Sequence, residues 1–74
     1  MKLYLISQNK NTGYDVYDSA IVCAENEEEA RTIHPDQYKS EHTWTTPDNV
    51  TVKMIGEAGE HIEKGVVLAS FNAG

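Results

Sequence analysis

Asn26-Glu27-Glu28-Glu29-Ala30-Arg31 decides how this chain is read. Asn26 carries a short side-chain oxygen that can accept from the backbone of a first helical turn. Glu29 stands three residues on, where a capping box places an acid. Three glutamates in the first turn complement the positive end of the helix dipole. Glu27 and Arg31 are spaced i,i+4, the separation of a surface ion pair. Ala30 and Ile33 fall on the inward face. Pro35 disfavours helix at His34, because its ring crowds the preceding residue, so the helix is about two turns long.

Strand-like segments flank this helix on both sides. Lys2 to Gln8 is short and rich in apolar, aromatic and β-branched residues. Asn9 to Gly13 supplies turn residues that tolerate positive φ. Tyr14 to Ala24 is a second strand, with Val16, Ala20, Ile21, Val22 and Cys23 as its apolar content. Asp15 to Asp18 alternates poorly, which predicts a bulge or kink. Beyond the helix, Val50, Val52 and Met54 share one face of a third strand, and Thr51, Lys53 and Ile55 the other. Gly56 to Lys64 is a polar loop. Gly65 to Phe71 is apolar on both faces, the composition of a central strand. Residues 35–49 lack periodicity and are long for a connection. They either hide a short element or carry a binding loop.

The expected architecture is one α+β domain spanning residues 1–74. It has a four-stranded, mainly antiparallel sheet and one short helix, in the order β-β-α-β-β. One short helix cannot cover both faces of such a sheet. The second face is closed by the 35–49 loop, by a second subunit or by a partner. Tyr4, Ile6, Val67, Ala69 and Phe71 are its expected residues, and a homodimer through the sheet follows from that reading.

The chain has 74 residues, and a domain of that size buries only about 60% of its unfolded surface. It has little room for a deep enclosed pocket. Six lysines and arginines against twelve aspartates and glutamates give a net charge of −6. Such a surface repels phosphate backbones, so direct binding to nucleic acid or to an anionic membrane is not expected. A protein with a basic surface is the natural partner. Cys23 is the single cysteine, so no intrachain disulfide forms. No N-terminal signal pattern and no membrane-length apolar run is present. The expected compartment is the cytoplasm.

Candidate chemistry is sparse. The helix-start glutamates around Cys23 oppose a thiolate, so it reads as a buried structural cysteine rather than a nucleophile. His34, His42 and His61 stand in no zinc-ligand spacing. His34 reads as a helix C-terminal residue, and the other two as loop residues. Gly56-Glu57-Ala58-Gly59 lacks the lysine and helix of a phosphate-binding loop. Neither a cofactor nor a metal is expected, nor is a catalytic residue.

The acidic residues matter more as a set. Asp15, Asp18, Glu25, Glu27, Glu28 and Glu29 lie on the second strand and the helix start, and Glu57, Glu60 and Glu63 in the last loop. They are either ordinary solubilising charge or, on one face, an imitation of a phosphate array that occupies a basic groove. Trp44 is the only tryptophan. It is either an interface anchor or a plug over the open end of the core. Tyr14 and Tyr17 beside Asp15 and Asp18 form an aromatic–acidic patch suited to arginines. The expected partner-binding residues are therefore Tyr14, Asp15, Tyr17, Asp18, Glu25, Glu28, Trp44, Glu57 and Glu60.

The stretch from Tyr14 to Ala24, continued by Glu25 to Arg31, resembles short proteins encoded by phages and prophages. The closing Gly65 to Gly74 has the same look. The resemblance implies a small accessory protein, and inhibition of a host defence complex, as anti-CRISPR proteins do, in the host cytoplasm. It carries no functional residue across. A self-associating regulatory module that pairs through its sheet is the other reading.

Overall fold

Residues 1–73 are described by the computed structural model. In chain order they form β1 (Lys2–Ser7), β2 (Val16–Ala24), α1 (Glu27–Thr32), a 3-10 turn (Pro47–Asn49), β3 (Thr51–Glu57) and β4 (Gly65–Asn72). This is the expected four-stranded antiparallel sheet with one short helix. The strand order is β3-β1-β2-β4.

Connection lengths explain that order. The short 8–15 link closes β1 and β2 as an antiparallel hairpin. The link through α1 and the long loop carries the chain over β1, so β3 pairs on β1's free side. Both sides of β1 are then occupied, and β4 pairs with β2 at the opposite edge. The seven residues 58–64 make that crossing. They can reach about 23 Å, against about 14 Å for three strand spacings. The apolar Gly65–Phe71 stretch is therefore an edge strand, not the central strand its composition implied. The pairing partners decide position, and composition reports only what is available for burial.

Register assigns the two faces. Tyr4 pairs with Val22 and Ile6 with Ala20, which places all four on one side. Ala24, Ala30, Trp44 and Val50 complete the core there, with Tyr17, Ile33, Val52 and Ala69 packed against it. Ile6 and Val22 are fully buried. Tyr4, Ile6 and Ala69 thus lie beneath the helix and loop, and not on the open face where they were expected. Leu3, Leu5, Ser19, Ile21, Lys53, Leu68 and Ser70 alternate with them and face the other way. A bulge between Tyr17 and Ser19 lies in the irregular Asp15–Asp18 segment. A second shift, between Ile21 and Val22, falls opposite Val67.

The aperiodic 35–49 segment packs on the same side of the sheet as α1, and not over the second face that it was one candidate to close. It hides the Pro47–Asn49 turn, and it inserts Trp44 into the core at 2% exposure. No helix among the described residues is long and apolar enough to cross a membrane.

Candidate protein-binding surface

One end of the sheet gathers the C-terminal end of β2, the start of α1, the C-terminal end of β3 and the loop to β4. Lys2 sits opposite both Ala24 and Glu57, so Glu25 and Glu57 leave the sheet at the same end. Asn26 caps α1 as expected, its side-chain oxygen accepting from the Glu29 backbone N–H at 2.9 Å. The reciprocal bond runs one residue further out. Glu29 Oε1 accepts from the Glu25 N–H at 2.9 Å. The other Glu29 oxygen meets Lys64 Nζ at 3.2 Å, tying the last loop to the helix start.

Three carboxylates at this end have partners. Glu57 pairs with Lys2 at 2.9 Å, Glu29 with Lys64, and Glu27 with Arg31 at 3.4 Å. Arg31 also donates to the Val50 carbonyl. The Glu25 N–H, and then Lys64, hold the Glu29 carboxyl below the usual range. The hydrogen bond from Lys2, and then its charge, does the same for Glu57, and the bond to Glu57 raises Lys2 in turn. Glu25, Glu28, Glu60 and Glu63 are exposed, with no ion pair among the described residues. Four expected contact residues, Glu25, Glu28, Glu57 and Glu60, thus share this end of the sheet.

The other expected residues lie elsewhere. Tyr14, Asp15, Tyr17 and Asp18 are at the start of β2, where Val16 pairs with Asn72. Even Asp18, the nearest of them, is seven residues from Glu25 along β2, about 23 Å at the rise of a strand. The acids therefore do not form one array. Tyr14 is 75% exposed. Asp15 is held at a φ of 60°, in the left-handed region. Tyr17 is half-buried and stacks at a tilt on Phe71, ring centres 4.8 Å apart. Trp44 belongs to the core and offers a partner no surface. Tyr38, 83% exposed, borders a shallow groove with Phe71 and Pro35 and was not singled out from sequence. Its signal in the sequence is an aromatic in the same aperiodic loop as Trp44.

Polar side chains near this far end are used internally. Gln8 accepts from the N–H groups of Lys10 and Asn11, at 2.9 and 2.7 Å. It donates to the carbonyls of Asn11 and Tyr17. Asn11 reaches across to the carbonyls of His42 and Trp44. His34 is no helix terminus: α1 ends at Thr32. Its Nδ1 accepts from the Asp36 N–H at 3.0 Å, which leaves Nε2 to donate to the Ser40 carbonyl at 2.9 Å. Asp36 accepts from the Tyr38 N–H and the Thr43 hydroxyl. Those two bonds, in that order, hold its carboxyl below the ordinary range.

Cys23 is fully buried, its sulfur 3.8 Å from Met1 Sδ and 3.9 Å from the Ile62 carbonyl. Among the described residues, no group of three His, Cys, Asp or Glu side chains is placed to hold a metal ion. No protein-family model, curated protein or solved structure matches the chain.

Proposed function

We propose that this chain is a non-enzymatic protein-binding domain that docks its acidic end on a basic surface of another protein. The single observation that supports this reading is the convergence of Glu25, Glu28, Glu60 and Glu63, exposed and without ion pairs, from three separate elements. Charge arranged this way steers and orients a complex with a positive patch. In this reading the partner is a host nucleic-acid-binding defence complex. The carboxylates stand in its groove where phosphates would lie, and the phage-protein resemblance of the Tyr14–Arg31 stretch points the same way.

The test is capture from a bacterial lysate by the immobilised chain, beside a Glu25→Lys/Glu28→Lys/Glu60→Lys variant. The expected result is retention of a nucleic-acid-binding protein that free polyanion displaces and the variant fails to retain. Retention of the same protein by both chains overturns the reading.

A further inference from the structure

We propose that β4 pairs edge to edge, antiparallel, with β4 of a second copy of this chain, joining two four-stranded sheets into one of eight strands. The two edges of the monomer's sheet differ in a way that bears on this. β3 carries Lys53 at its middle and the Lys2–Glu57 ion pair at its end, and Arg31 occupies the carbonyl of Val50 just before it. Charged side chains and occupied backbone groups are how an edge is kept from pairing. β4, Gly65–Asn72, has no charge and no proline in eight residues. Val66, Val67, Leu68 and Phe71 are 43–65% exposed on it. Among the described residues, its backbone bonds to β2 and, at Asn72, to Asp15. Its side away from β2 is open. A strand with the composition of a central strand, left at an edge, becomes central once that side is paired.

Charge selects the occupant. A basic partner is drawn to the carboxylates at the end of the sheet and gains nothing electrostatic from β4. Two copies, each at −6, need a contact free of carboxylates, and β4 provides one. The antiparallel sense also fits. Glu60 and Glu63 lie in the loop before β4, so this sense puts the two acidic loops at opposite ends of the paired strands. A two-fold, self-complementary contact is the commonest form of assembly.

Sedimentation equilibrium of the purified full chain, from micromolar to millimolar, tests the proposal together with amide hydrogen exchange. The mass is expected to rise from one chain toward two. Exchange at Val66–Ser70 is expected to slow with concentration, while the β3 edge stays unchanged. Added salt strengthens this pairing by screening the repulsion, whereas it weakens docking on a basic partner. Leu68→Lys, at a 65% exposed position, is expected to abolish the rise in mass with an unchanged circular dichroism spectrum. A single-chain mass at millimolar concentration overturns the proposal. So does a rise in mass without protection at β4, which marks stacking of open faces instead. Should Leu68→Lys fail to fold, exchange in the unsubstituted chain decides. The readouts need no partner, so they stand or fall apart from the capture experiment.

Discussion

The two ends of the sheet treat their polar groups in opposite ways. At the far end, Gln8, Asn11, His34, Asp36 and Thr43 each bind backbone or one another, and their hydrogen bonds hold the loops around Trp44. At the acidic end, three carboxylates have cationic partners and four point into water. The first pattern is what a structure needs where a long loop must close a core. The second contributes little to folding and leaves charge free to meet another molecule. Polar residues alone therefore do not mark a binding site. What distinguishes the two ends is whether the hydrogen-bonding and charge of their polar groups are satisfied within the chain.

Substitution separates the two ends, and the largest effect belongs to the far one. Trp44→Ala removes the buried ring that closes the core, at a cost of about 3–5 kcal/mol. In a domain this small that is a large share of the total. Chemical denaturation is expected to show a mostly unfolded chain. Gln8→Ala leaves four backbone groups without their partners and costs about 1–3 kcal/mol, read as a lower denaturation midpoint. At the acidic end, Asn26→Ala removes the helix cap and costs about 1 kcal/mol by the same measurement. Glu60→Lys is expected to leave the melting temperature nearly unchanged, because its side chain is neither buried nor ion-paired, and Glu28→Lys to cost no more than about 1 kcal/mol through the helix dipole. A large loss of stability in either glutamate variant breaks the contrast.

Acid sharpens the contrast further. The folded Asp36, Glu29 and Glu57 carboxyls all titrate below their ordinary values. Their contributions are therefore fully present above the unfolded carboxylate range, about pH 4, and are lost as pH falls through the folded values. Asp36→Asn is expected to lower stability at neutral pH and to flatten this acid limb. Thermal melts between pH 7 and pH 3 are the check, and an unchanged acid limb in Asp36→Asn contradicts the role given to its two hydrogen bonds.

Local signals were legible in the sequence, and long-range ones were not. Asn26 and Glu29 announce a helix start because capping is settled within four residues. The Asp15–Asp18 irregularity likewise marked a real bulge. The side of the sheet that Tyr4 and Ile6 face depends on where α1 packs, and alternation along one strand gives parity without direction. β4 was misplaced for a similar reason, since edge or centre is set by β1 and β3, far away in sequence. The knit of His34, Asp36 and Thr43 leaves no periodic trace, because each bond is a singular match of one side chain to a backbone group or to another side chain. Of the expected contact residues, Glu25, Glu28, Glu57 and Glu60 share one end of the sheet, and charge alone pointed to them. Trp44 was ambiguous, because an aperiodic loop offers no way to tell an anchor from a plug.

The most direct measurement of the central claim is the affinity of the captured partner for the chain, taken at low and at high salt. If the acidic end makes the contact, affinity falls steeply as salt rises, and the Glu25→Lys/Glu28→Lys/Glu60→Lys variant loses both the affinity and most of the salt dependence. An affinity that is the same at both salt concentrations contradicts the claim.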